Sequence, residues 1–271
     1  MQRLIDSHCH IYPENIARKA VSSIDRFYDG LPVGKVHDGT VGCLVRTGSA
    51  SGISHYIVHS VATTPHQVQS INEFIADSVK KSHGAFTGLG TLFPGSEALL
   101  EDFQHLRDLG LSGVKIHPDF QRFCVDSPEA FRVFELCESN DIPVLVHTGD
   151  FRYDYSNPDR VVNVLKAFPK LKFIGAHFGG WSVWEKARRL LPDFPNIMVD
   201  TSSSFFWLKK ERAREIIRAF GPERVMFGTD YPMWPQEKEI IFLDRLGLEP
   251  AQYEKICWKN CAGLYHITFS D

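Results

Sequence analysis

Short apolar runs recur along this chain roughly every thirty residues, and apolar positions three or four apart follow each of them. Residues 4–10, which open with Leu4-Ile5 and close with Asp6-Ser7-His8-Cys9-His10, predict a buried strand. Similar runs predict seven more strands, at 55–61, 85–92, 113–117, 143–147, 171–177, 196–200 and 224–228. They are continuously apolar rather than alternating, as expected of strands covered on both faces. Ile16, Ala20, Ile24 and Phe27 mark a helix over 14–28. A Gly/Pro-rich loop at 29–39 precedes a weaker helix at 40–51. Further helices are predicted at 65–80, 96–109, 127–139, 157–168, 182–190, 208–220, 236–245 and 250–264. Ser127-Pro128 and Asn157-Pro158 supply the cap and first-turn proline of two of them. Eight βα units thus fill residues 1–271 with no break in composition, which predicts one single-domain (β/α)8 TIM barrel. An open doubly wound sheet is the alternative, but no Gly-x-Gly-x-x-Gly follows the first strand.

The length of 271 residues suits one such barrel, and 43% hydrophobic residues suffice for a large core. The net charge of −3, with no strongly basic half, argues against nucleic acid as a partner and leaves small molecules. The six cysteines are scattered without a Cys-x-x-Cys pair, so reduced thiols are expected. Met1-Gln2-Arg3 leads straight into the first strand with no signal-peptide pattern, and no stretch reaches the ~18 apolar residues of a membrane span. A cytoplasmic protein without membrane contact is the expectation.

In a barrel of this kind the chemistry lies at the carboxyl ends of the strands. Side chains two apart on a strand point the same way, so His8 and His10 present two imidazoles to one side and Cys9 faces the other. The fourth strand supplies Lys115 and then His117, the fifth His147, the sixth His177, the seventh Asp200 and the eighth Asp230. Taken singly, His147 or His177 reads as a satisfied core histidine and Asp230 as a turn residue. Lys115 is harder to place, because an unpaired lysine in an apolar barrel strand is strongly unfavourable. Strand ends that repeatedly carry chelating or ionisable groups together point to a metal-dependent site.

The order His-x-His, Lys, His, His, Asp over eight βα units resembles the amidohydrolase superfamily. Gly113-Val114-Lys115-Ile116-His117-Pro118, Gly175-Ala176-His177-Phe178-Gly179-Gly180 and Phe227-Gly228-Thr229-Asp230-Tyr231-Pro232 resemble its amidohydrolase-related branch of metal-dependent hydrolases and decarboxylases. So does the closing run from Lys259 to Tyr265. The chain has too few residues for the extra β-sandwich that some members carry. The resemblance implies that His8 and His10 bind a divalent metal with Asp230 as a further ligand. His147 would complete a mononuclear site, leaving His177 as acid/base. In binuclear members a carbamylated lysine bridges two ions, a role that would fall to Lys115, with His147 and His177 on the second ion. One zinc is the favoured cofactor, with a second ion left open.

Such a centre is expected to activate water for attack on an amide, ester or lactone carbonyl, with Asp230 taking the proton and His177 assisting the leaving group. The alternative is non-oxidative decarboxylation of a small, aromatic or other, carboxylic acid. Its carboxylate would need a cationic anchor, for which Arg152, Lys115 and Arg46 are candidates. Phe205, Phe206 and Trp207, with Trp181 and Trp234, are candidates for an apolar wall. A non-catalytic metal-binding barrel is the reading from another class, and it would be signalled by a missing ligand, of which there is none. Phosphoester cleavage is disfavoured because deoxyribonuclease-like barrels carry a Gly-Glu carboxylate where this chain has Lys115. A homodimer is compatible with a barrel of this kind.

Overall fold

A computed structural model describes residues 3–28, 31 and 36–269. The start of the chain and part of the expected loop at 29–39 lie outside the described residues. Among the described residues nine parallel strands occur in chain order: β1 Ile5–His10, β2 His55–His59, β3 Phe86–Gly88, β4 Gly90–Thr91, β5 Val114–Ile116, β6 Val144–Val146, β7 Phe173–Gly175, β8 Ile197–Asp200 and β9 Val225–Met226. Each pairs with the next, apart from β3 and β4, which are halves of one expected strand. The two halves part at Leu89, whose N–H donates to Val58 O on one side at 2.9 Å. Gly90 N–H donates to Gly113 O on the other, also at 2.9 Å. The ring closes where Ser7 N–H donates to Phe227 O at 2.9 Å and His10 N–H to Tyr231 O at 2.8 Å. The protein is a (β/α)8 barrel, as the sequence pattern predicts.

One irregularity positions the site. Along β1 the register opposite β2 slips between Asp6 and Cys9, where three residue steps face two. This bulge alters the strand's alternation. Ile5 joins Ile57, Leu89, Leu145, Ile174 and Met226 in the apolar plug that fills the barrel floor. Cys9 packs outward with Tyr56 and Val58, against the surrounding helices. His8 and His10 are therefore left above the plug, facing the barrel mouth. On β5, Val114 and Ile116 belong to the outer core, so Lys115 between them points inward.

The helices follow expectation with local differences. Thr40 caps Val41–Ala50 by accepting the Cys43 N–H at 3.2 Å. The expected helix at 65–80 begins with a 3-10 turn before Val68–Lys81. A short helix, Pro118–Gln121, follows β5. β7 ends at Gly175, so His177 lies in the turn His177–Gly179 rather than on a strand. All six cysteines are free thiols. No helix among the described residues is long and apolar enough to cross a membrane.

Helix Gln236–Asp244 buries a carboxyl: Glu239 is 4% exposed and its Oε2 has no hydrogen bond. Burial, reinforced by the charges of Asp6 and Asp230, pushes its pKa up to about 8 from 4.5. A folded-state pKa raised above the unfolded value gives stability that is full below the unfolded pKa and lost as pH rises through the folded one. The loss therefore runs from about pH 4.5 to above pH 8 and totals on the order of 5 kcal/mol at 1.36 kcal/mol per pH unit. Glu239→Gln is expected to remove this share of the alkaline destabilisation. Urea unfolding of both proteins at pH 5 and pH 9 measures it, and an unchanged difference between the two pH values would refute it.

Candidate active site

Three donor atoms converge at the mouth of the barrel. His8 Nε2 lies 3.3 Å from His10 Nε2, and each lies 3.4 Å from Asp230 Oδ1. Ligands bound tetrahedrally at about 2.0–2.1 Å stand roughly 3.3–3.4 Å apart, so this triangle has the dimensions of one face of such a set. The neighbours of each donor fix its orientation. His8 Nδ1 lies 2.9 Å from Asp200 Oδ2, which places the proton on Nδ1 and leaves Nε2 as a lone pair. Asp200 also accepts from His177 N–H and Ser202 N–H, each at 3.0 Å, and from the Ser202 hydroxyl. On Asp230, Oδ2 accepts from Ser203 Oγ–H, and Ser203 Oγ in turn accepts from Trp234 Nε1–H at 2.7 Å. Oδ1 is thereby directed at the two imidazoles.

Electrostatics suits the donor role. Burial lowers His8 to about 4, aided by the Lys115 charge, and burial also lowers His10 and His177. All three are neutral near pH 7, with nitrogen lone pairs available. Burial works against ionisation of Asp230, but the surrounding imidazoles outweigh it and hold the carboxyl below its usual range. The His8 lone pair, His10 Nε2 and a carboxylate oxygen, within 3.4 Å of one another, have the donor chemistry of a cation site. The residues present therefore fit a divalent cation.

The other expected residues gather around this triangle. Lys115 is fully buried, with Nζ 3.3 Å from His8 Nε2, and burial lowers it to about 8 while Asp200 and Asp230 resist the shift. His177 sits beside His8, with ring centroids 5.2 Å apart. Its Nδ1 faces Ser202 O at 2.9 Å and its Nε2 faces His147 Nδ1 at 3.0 Å. His177, Ser203 and Asp230 all adopt positive φ, at 59°, 47° and 61°. Left-handed backbone at three non-glycine residues around one point is strain of the kind that clusters at functional sites.

The cleft above is lined by His10, His117, His147, His177, Ser203 and Asp230, with Tyr28, Phe120 and Trp181 as aromatic walls. Arg152 stands behind that wall rather than in the cleft. Asp150 binds it through contacts of 2.6 and 3.0 Å, Phe27 O accepts from Nη1 at 2.8 Å, and its guanidinium lies 4.7 Å over the Tyr28 ring. Arg46 is exposed on helix Val41–Ala50. Of the candidate wall residues, Trp181 lines the cleft, whereas Phe205 stacks on Phe242 in the core. Phe206 is exposed and stacks on Trp234.

Sequence reasoning missed three contributors. His59 ends β2 and is fully buried against His8 and His10. Asp119 lies 3.5 Å from His147 Nε2. His117 was placed at a strand end without a role. Its Nδ1 accepts the Phe120 N–H at 3.3 Å, and its ring is sandwiched between Phe120 and His147 at centroid distances of 3.7 and 3.8 Å. A neutral imidazole that accepts at Nδ1 carries its proton on Nε2. His117 is thus a fixed N–H donor in the cleft lining.

A family model of amidohydrolases matches residues 5–267, nearly the whole chain. The chain belongs to the amidohydrolase family. This amidohydrolase resembles a 2-amino-3-carboxymuconate-6-semialdehyde decarboxylase from Dictyostelium discoideum, at 24% identity over 204 residues. That match spans 60% of this chain and only 56% of the relative. Among solved structures, a 5-carboxyvanillate decarboxylase from Sphingomonas paucimobilis superposes with a TM-score of 0.76 at 19% identity, covering 99% of this chain and 100% of the other. A dihydroxybenzoic acid decarboxylase from a Polaromonas species, solved with bound manganese and the inhibitor 2-nitroresorcinol, gives 0.76 at 17% identity, covering 100% and 98%. Both structural likenesses establish the fold. The amidohydrolase is an enzyme, and relatives of its fold hold a divalent metal.

Proposed function

We propose that this amidohydrolase is a metal-dependent carboxy-lyase that removes CO2 from a small aromatic carboxylic acid. The observation that carries the reading is the donor triangle of His8, His10 and Asp230 at the floor of an aromatic-walled cleft, with the His147–His177 pair beside it. The relatives named above are all called decarboxylases, which favours this reading over the hydrolytic one drawn first from the sequence.

His8, His10 and Asp230 would hold the cation, while His147, with Nδ1 facing His177 Nε2 at 3.0 Å and Asp119 behind its other nitrogen, would orient His177 rather than serve as the ligand the resemblance implies. When bound, the cation supplies Lewis-acid stabilisation of negative charge on substrate oxygens, and zinc and manganese both suit an N/O donor set. Tyr28, Phe120 and Trp181 would hold a flat ring and exclude water. His117 Nε2–H would donate to a substrate oxygen. His177 would deliver the proton from Nε2 in its protonated form, which burial makes the minority form near pH 7, with Nδ1–H anchored on Ser202 O. Delivery of that proton to the ring carbon bearing the carboxylate, followed by cleavage of the C–C bond, returns the electron pair to the ring and releases CO2. Each turnover consumes one proton per CO2. Lys115 lies 3.3 Å from His8 Nε2, and burial lowers its pKa, so it would stand as a neutral amine beside a bound cation.

His117→Phe should keep the ring stack while losing the Nε2–H donor and the Nδ1 acceptor of Phe120 N–H. KM for the acid is expected to rise roughly 3–10-fold, the worth of one neutral hydrogen bond, with kcat changed less. Steady-state kinetics of His117→Phe beside His117→Gln, which retains a donor, checks this, and equal KM values in all three proteins would refute the contact. The function itself is tested by incubating the metal-loaded protein with a panel of hydroxylated benzoates, esters and lactones. CO2 release from an acid supports the reading, and ester or lactone cleavage without CO2 release restores the hydrolytic one.

A further inference from the structure

His59 is the least explained polar group of the barrel interior. It ends β2, opposite His10 on β1, and is fully buried. Neither of its ring nitrogens has a hydrogen-bond partner. Buried polar atoms are nearly always partnered, so two orphans on one side chain require a cause. Packing does not supply it. His59 meets the His10 ring at 4.4 Å and 87°, and the His8 ring at 4.8 Å and 78°. A phenylalanine would make the same edge contacts without two nitrogens cut off from water. One donor atom from each of His8, His10 and His59 lies within 4.8 Å of the others, a spacing that one ion's ligands can close by small side-chain rotations.

We propose that His59 is a nitrogen donor of the metal centre, which makes the β1–β2 side of the site a three-imidazole set of His8, His10 and His59. The proposal rests on the metal site assigned above and adds a ligand from a strand that the sequence pattern left without a role. Its consequence is selectivity. Imidazole favours zinc, copper and nickel, whereas manganese favours oxygen donors. A further imidazole shifts this centre towards the former ions.

The experiment is metal titration of the apo-protein with zinc and separately with manganese, for wild type, His59→Phe and His59→Gln. Pulsed electron paramagnetic resonance of the copper(II)-loaded proteins counts the coordinated imidazoles. Both His59 variants are expected to bind zinc at least ~10-fold more weakly, to lose much less manganese affinity, and to show one imidazole fewer. Phe and Gln differ in polarity, so a folding defect in one leaves the other to report, with thermal unfolding identifying the folded variant. Unchanged zinc affinity and imidazole count in a folded His59 variant overturn the proposal. His10→Ala separates the two levels. If it loses the metal while the His59 variants keep it, the site stands and His59 is only packing. If wild type binds no metal, the site itself is wrong.

Discussion

His177→Asn is expected to lower turnover by roughly 10²–10⁴-fold, the usual contribution of a positioned general acid, while leaving bound metal at the wild-type level. The expectation follows from the two sides of the ring. Nδ1 faces Ser202 O at 2.9 Å, so the ring is anchored from behind, and Nε2 is the side that carries the transferable proton. Burial lowers the pKa of His177, so its protonated form is a stronger acid than an exposed imidazolium. Asparagine has no proton to deliver at that position. Metal content by elemental analysis and kcat by CO2 release are measured on the same sample. Loss of one metal equivalent with the activity would instead make His177 a ligand of a second ion, the arrangement in which Lys115 bridges.

Asp200→Asn is expected to weaken metal binding roughly 10–100-fold, although Asp200 touches no substrate. As a carboxylate it accepts from His8 Nδ1, from two backbone N–H groups and from the Ser202 hydroxyl. An amide turned with NH2 towards His8 would move the imidazole proton from Nδ1 to Nε2 and remove the lone pair aimed at the triangle. Turned the other way, it would set NH2 against the N–H groups of His177 and Ser202. The first orientation aims an N–H at the ion's place and the second sets donors against donors, in a fully buried site. Zinc titration of the folded variant reads the loss. An affinity within twofold of wild type would mean that Asp200 does not fix the His8 tautomer.

The barrel was legible because its strands are continuously apolar and evenly spaced, which tertiary packing reinforces rather than overrides. His8, His10, His177 and Asp230 are legible as a set because each ends or closely follows one of those expected strands, and the fold brings them within a few ångströms. Other features depend on contacts that a linear pattern does not carry. The bulge that lets both Ile5 and His8 face the interior comes from pairing with β2. The break at Leu89 is a switch of partners from Val58 to the strand beyond. His177 lies past its strand in a left-handed turn, held by Asp200 from the next strand. Arg152 looked like a carboxylate anchor because it follows a strand end. Its partner Asp150, two residues away, already occupies its fork, and that pairing could have been suspected from the sequence. His59 carried the same signal as the others, a histidine closing an apolar run, yet without a family motif around it the signal was not weighed.

The central claim is that a metal held by His8, His10 and Asp230 supports decarboxylation in this cleft. The most direct measurement is reaction of the zinc- or manganese-loaded protein in D2O with hydroxybenzoic acids labelled with ¹³C at the carboxyl group. The account predicts release of ¹³CO2, one deuterium at the carbon that carried the carboxylate, and loss of both on metal removal with recovery when the ion is restored. Labelled acids left intact by the loaded protein, while the same sample hydrolyses an ester or lactone, would contradict it.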